Sequence, residues 1–81
     1  MPYYDFFWTD DIIAHIAQHG IAPRDFELVV TNPVDTDKSQ PSGLPAAFGY
    51  TRDGRFIIAV YEGLDEITIL PVTAYEVPEP R

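Results

Sequence analysis

Residues 48–61 constrain the fold of this 81-residue chain more than any other stretch. They hold two runs of apolar, aromatic and β-branched residues on either side of Asp53-Gly54, and such a dipeptide between such runs is the strongest short signal for a β-hairpin. The second run, 56–61, is apolar on both alternating faces, which is typical of a central, buried strand. The sequence therefore predicts a sheet built around this hairpin, with Asp53-Gly54 as its two-residue turn.

Two short helices are predicted before the hairpin. Thr9 suits the N-cap of the first helix, and Gly20 suits its end because glycine adopts the left-handed conformation readily. Pro23 fits the first turn of the second helix, and Asn32, followed by proline, ends it. The residues expected to face the core are Ile12, Ile13, Ile16 and Ala17 in the first helix and Phe26, Val29 and Val30 in the second.

Strands are predicted at 45–51, 55–62 and 66–73, and the aromatic run 3–8 is also strand-like. Pro71 cannot donate to a strand ladder, so we expect an edge or a bulge there. Residues 33–44 are expected to form a long loop and 77–81 an extended tail. The whole chain is thus predicted to be one α+β domain, a small antiparallel sheet of three to four strands with two short helices packed on one face.

Charge argues against nucleic-acid binding. Thirteen acidic and five basic residues give a net charge of −8, whereas affinity for nucleic acids depends on Lys and Arg that neutralise phosphates. Arg52 and Arg55 are the two basic residues that lie close together in the sequence. We therefore expect RNA binding to be weak or absent. An acidic surface suits solubility or a basic partner protein.

No cofactor or metal site is predicted. His15 and His19 are spaced so that both imidazoles share one helical face, but no third ligand accompanies them. The chain has no cysteine, which excludes a disulfide or a thiolate metal site. A signal-peptide pattern and a long apolar run are lacking, so we expect a cytoplasmic protein that does not enter a membrane. A core of this size is marginal, and forming a homo-oligomer would enlarge it.

Four side chains around the hairpin could bind a phosphate or stack on a base. A two-residue turn would make Arg52 and Arg55 cross-strand neighbours, and alternation would place Tyr50 on the face of Arg52. Tyr75, expected just after the last strand, could reach the same surface. Arginine and tyrosine together suit phosphate binding and base stacking. The alternative is that the arginines solvate the hairpin tip while the tyrosines cover the sheet.

A series of short motifs spans residues 6–76 in a defined order. They are Phe7-Trp8, His19-Gly20-Ile21, Phe26-Glu27-x-Val29, Asn32-Pro33, Phe48-Gly49-x-Thr51-x-Asp53-Gly54-Arg55, Ile58-Ala59-Val60-Tyr61, Ile67-x-Ile69 and Thr73-Ala74. In this order the chain resembles the BrnT family of bacterial type II toxin–antitoxin systems, whose members share the fold of RelE-type ribonucleases. The resemblance implies a toxin that cuts messenger RNA and is neutralised by an antitoxin partner.

The candidate site residues are Arg55, Arg52, His19, Tyr50 and Tyr75, and of these the resemblance implies Arg55 and His19. Where the family carries basic residues, however, this chain has Gln18, Tyr50 and Tyr75. A ribonuclease must offset the charge of a pentavalent transition state, and losing one such donor costs roughly 3–4 kcal/mol. We therefore predict a BrnT-like protein with reduced or lost ribonuclease activity. A non-catalytic protein-interaction module on the same fold and a hydrolase acting on another substrate are the alternatives.

Overall fold

The computed structural model describes residues 4–39 and 42–79. Its elements are β1 (Asp5–Phe6), α1 (Asp10–Ala17), α2 (Pro23–Thr31), β2 (Asp35–Lys38), β3 (Pro45–Tyr50), β4 (Phe56–Gly63) and β5 (Thr68–Glu76). The five strands of this described part form one sheet in the order β1-β5-β4-β3-β2. β1 runs parallel to β5, and the other neighbouring pairs are antiparallel. The α+β class is confirmed, but the sheet is mixed and has five strands rather than three to four.

β2 is the strand that the sequence did not predict. It lies inside the stretch 33–44, which was expected to be a loop. All four of its residues are exposed, so no alternation of apolar and polar residues marks it as a strand. At the other edge, the aromatic run 3–8 contributes only Asp5–Phe6 to the sheet among its described residues.

The first helix starts and ends as predicted. The Thr9 hydroxyl accepts a hydrogen bond from the Ile12 N–H at 3.3 Å. Gly20 has a φ of +72°, and the Ile21 N–H donates to the Ile16 carbonyl at 3.1 Å, which closes the C-terminal end in the expected way. In the described part of the chain, neither helix is long and apolar enough to cross a membrane.

The two helices pack on one face of the sheet. The core beneath them contains Ile16, Ile21, Phe26, Val29, Val30, Ala47, Ile57, Ala59 and Ala74. Gly49 lets α2 approach the sheet closely, since a Cβ at that position would lie 3.3 Å from a methyl group of Val29. The prediction for α2 is confirmed, whereas Ile13 and Ala17 of α1 are exposed, so the apolar stripe of α1 is narrower than predicted.

The opposite face of the sheet carries no helix in the part of the chain that the structure describes. Its apolar side chains form a smaller cluster of Ala46, Ile58 and Val60 with Leu44, Phe48, Val72 and Val77 packed against them. We call this side of the sheet the open face. Because β4 is buried by both clusters, residues 56–60 are all buried, which confirms the predicted central strand.

β5 is longer than predicted and is irregular where proline interrupts it. Val60 pairs with Thr73 and Tyr61 pairs with Pro71, so Val72 has no partner on β4. This irregularity confirms the bulge expected near Pro71. Beyond it the strand continues to Glu76, past the predicted end at residue 73.

Candidate functional site

The hairpin between β3 and β4 has a three-residue loop rather than the predicted two-residue turn. The Thr51 N–H donates to the Arg55 carbonyl at 2.8 Å, and the Gly54 N–H donates to the Thr51 carbonyl at 3.0 Å. Gly54 has a φ of +88°, so a turn over Arg52 and Asp53 is followed by a left-handed glycine, a common hairpin form. Arg52 therefore lies in the turn, and the prediction that it faces Arg55 across two strands is wrong.

Arg52 reaches the helix side of the sheet and pairs with Asp25 of α2. Its Nε and its backbone N–H each lie 3.1 Å from Asp25 Oδ1. Asp25 is only 6% exposed, whereas the Arg52 side chain keeps 56% of its surface in solvent. A buried carboxylate without partners is strongly unfavourable, so this pair stabilises the start of α2 and anchors the hairpin loop. Asp25 was not predicted as part of the site.

Arg55 links the hairpin to the corner between the two helices. Its Nη2 donates to the Gly20 carbonyl at 2.6 Å, just beyond the C-terminal end of α1. Its Nε lies 3.1 Å from one carboxylate oxygen of Asp53 and 3.2 Å from the other. The Thr51 hydroxyl also donates to Asp53. Hydrogen bonds from Thr51 first, and then from Arg55, hold the pKa of Asp53 below its ordinary value.

His15 of α1 and His19, which lies just beyond the end of that helix, are close to β5. His15 Nε2 is 2.8 Å from the Thr73 hydroxyl, and the two histidine rings are 5.6 Å apart. The His19 ring lies 6.2 Å from the ring of Tyr75, which belongs to β5 and does not follow the last strand as predicted. No group of three metal-binding side chains is present among residues 4–39 and 42–79.

Tyr50 lies on the open face, on the other side of the sheet from Arg52. It pairs with Phe56, and the two rings are 5.0 Å apart. Its hydroxyl donates to Glu79 at 3.4 Å, and its pKa is raised by desolvation and then by the charge and the hydrogen bond of Glu79. The prediction that Tyr50 and Arg52 share a face is wrong, because the loop interrupts the alternation of side chains between them.

A groove of about 450 Å³ lies on the open face beside the first part of β2. It is lined by Val34, Asp35, Asp37, Phe48, Phe56, Val77 and Pro78. The rings of Phe48 and Phe56 are stacked 6.1 Å apart with 16° between their planes, and they form an aromatic floor. Asp35 pairs with Phe48 and Asp37 with Ala46, so both carboxylates project on the same side as this floor. The sequence did not reveal the groove, because recognising it requires knowing that β2 is a strand.

The five predicted site residues do not form one cluster. Arg52 is held by α2, and Tyr50 lies on the open face. Arg55 binds the Gly20 carbonyl just beyond the end of α1, and the ring of His19, the preceding residue, lies 6.2 Å from the ring of Tyr75 on β5. Comparison with protein-family models, with curated proteins and with solved structures gave no significant match to this chain.

Proposed function

We propose that this chain is a non-catalytic protein-interaction module, on a fold of the kind that BrnT-like toxins share. The observation that carries the proposal is that Arg52 and Arg55 are both bound by other groups of this chain. Arg52 is paired with Asp25, and Arg55 is bound to Asp53 and to the Gly20 carbonyl. These side chains serve the structure of the hairpin and of the corner beside it.

Phosphate binding at this site is disfavoured by the groups that already surround the guanidinium ions. The charges of Arg52 and Arg55 are cancelled by those of Asp25 and Asp53. An RNA phosphate would approach the Asp53 carboxylate together with Arg55, and the chain as a whole carries −8. A pentavalent transition state, which carries still more negative charge, would be stabilised even less.

The test is an RNA cleavage assay on the purified protein, with growth followed after induced expression in bacteria. We expect no cleavage and no growth arrest for the natural chain. Arg55→Ala is the test variant, and Arg24→Ala, at an exposed position of α2, makes the same change in net charge. Cleavage that disappears in Arg55→Ala but persists in Arg24→Ala would overturn the proposal.

A second candidate is a BrnT-like toxin with reduced ribonuclease activity and an antitoxin-like partner. It is favoured by the binding of Arg55 to the Gly20 carbonyl, one residue from His19, whose ring lies 6.2 Å from that of Tyr75. In that case Arg55 would hold the phosphate and His19 would transfer a proton. Slow cleavage that is lost equally in His19→Ala and Arg55→Ala would support this candidate over the interaction module.

A further inference from the structure

We propose that the groove on the open face binds a basic peptide segment of a partner protein, in which an apolar side chain is flanked by Arg or Lys. This inference rests on the proposed function, because it names the binding surface and the chemistry of the partner.

The floor of the groove fits the apolar and cationic parts of such a segment. The half-buried ring of Phe48 presents aromatic surface at the base of the groove, and the ring of Phe56, which is only 6% exposed, is stacked beside it. Val34, which is 58% exposed, lies beside them, since its N–H donates to the Phe48 carbonyl at 2.7 Å. Exposed apolar surface of this kind favours an aliphatic side chain, and aromatic rings attract the cation of Arg or Lys.

The rim of the groove is acidic. Asp35 and Asp37 lie on β2. Glu79 comes directly after Val77 and Pro78, which line the groove, and it accepts a hydrogen bond from Tyr50. The described residues that line the groove include no basic side chain. Carboxylates around an apolar floor therefore select a partner whose positive charges flank its apolar side chain.

The edge of β2 is better suited to side-chain recognition than to adding a strand. β2 is the last strand of the sheet. The Asp35 carboxylate accepts from the Thr36 N–H at 2.8 Å, and Asp37 accepts from the Lys38 N–H at 2.7 Å. Because these two N–H groups already have acceptors, the edge of β2 is less able to pair with a strand of another chain. The partner segment is therefore expected to bind through the groove.

A second copy of this chain is a poor occupant of the groove. Each copy carries a net charge of −8, so two acidic rims would repel each other. The two arginines of the hairpin are paired with Asp25 and Asp53 of the same chain, so their charges are not available to a neighbouring groove. Charge complementarity thus favours a different, basic protein.

The experiment is an NMR titration of the full isotope-labelled chain with a short synthetic peptide that alternates leucine and arginine. We expect saturable shifts at the backbone amides of Val34, Phe48, Phe56 and Val77. A peptide with glutamate in place of arginine should not bind, and one with serine in place of leucine should bind more weakly. Raising the salt concentration should weaken the binding, because the rim charges are exposed.

Two pairs of substitutions separate the effect of the rim carboxylates on binding from the effect of the net charge. Asp35→Asn with Asp37→Asn should weaken binding by about fivefold, the size expected for two exposed ion pairs. Glu62→Gln with Glu66→Gln changes the net charge equally at exposed positions outside the groove, and it should leave the affinity unchanged.

The groove proposal is overturned if the leucine–arginine peptide causes no saturable shifts, or shifts only amides outside the groove. It is also overturned if the glutamate peptide binds equally well, or if both pairs of substitutions weaken binding alike. None of these results bears on RNA cleavage. Failure of the proposed function is therefore recognised separately, by cleavage that depends on Arg55.

Discussion

The Asp25 carboxylate at the start of α2 accepts two hydrogen bonds, each of 3.1 Å, from the backbone and the side chain of Arg52 at the hairpin tip. These residues are 27 positions apart, so the pair fastens the sheet to the helical layer. Arg52, which the sequence indicated as a candidate phosphate-binding residue, therefore stabilises the contact between the hairpin and α2.

Removing the ion pair between Arg52 and Asp25 should destabilise the fold. Arg52→Ala leaves the buried Asp25 carboxylate without its side-chain partner, and we expect a loss of about 1–3 kcal/mol in the free energy of unfolding. Arg24→Ala, on the exposed side of the same helix, should change it by less than about 0.5 kcal/mol. Urea denaturation measures both values. Equal effects of the two substitutions would mean that the Asp25–Arg52 pair does not stabilise the fold.

The central strand should tolerate truncation poorly. Ile57 is 0% exposed beneath the helices, and Ile57→Ala should cost about 2–5 kcal/mol, which can unfold a domain of this size. Ile67→Ala is the matched control, because Ile67 is 51% exposed, and it should cost less than about 0.5 kcal/mol. Thermal and urea unfolding of both variants would give the comparison. A cost for Ile57→Ala no larger than that of Ile67→Ala would place Ile57 outside the core.

The form of the hairpin loop can be tested at its glycine. Gly54 has a φ of +88°, so Gly54→Ala should cost about 1–2 kcal/mol although the added methyl group meets no neighbour within 4 Å. At Gly63 the space is equally open and φ is not positive, so Gly63→Ala should be neutral or slightly stabilising. If the two variants unfold at the same urea concentration, Gly54 is not held in the left-handed conformation.

The pH dependence of stability should carry a contribution from Asp53. Hydrogen bonds from Thr51 and then Arg55 lower its pKa in the folded state. Its stabilising effect is therefore complete above the unfolded value of about 3.9 and is lost as the pH falls through the lower, folded value. The stability difference between the natural chain and Asp53→Asn should shrink over that acid range. A carboxyl carbon NMR titration in which Asp53 titrates at or above about 3.9 would contradict this assignment.

The sequence predicted those parts of the fold that depend on local chemistry. The Thr9 side chain can cap a helix and Gly20 can adopt the left-handed conformation, so these two residues predict the start and the end of α1. The apolar run of β4 predicts a strand that is buried on both faces. β2 was missed because its residues are all exposed and its pairing with β3 is set by the sheet. Local signals cannot report a strand that depends on its neighbour.

The candidate site was harder to predict than the fold, because the position of Arg52 changes when the pairing of β3 with β4 shifts by one residue. Asp53-Gly54 indicated a hairpin, but the three-residue loop moves Arg52 out of the strand and toward Asp25. That shift separates Arg52 from Tyr50 and places them on opposite sides of the sheet. A register change of one residue reverses the face of a side chain, and the sequence alone did not fix the loop length.

The most direct test follows the guanidinium groups of Arg52 and Arg55 by NMR while a short single-stranded RNA is added at physiological salt. If the arginines are structural, their Nε–H resonances will show slow exchange, stay in place during the titration and shift only when Asp25 or Asp53 is substituted. Saturable movement of both resonances on adding RNA, accompanied by cleavage products, would contradict the proposal that this chain is a non-catalytic interaction module.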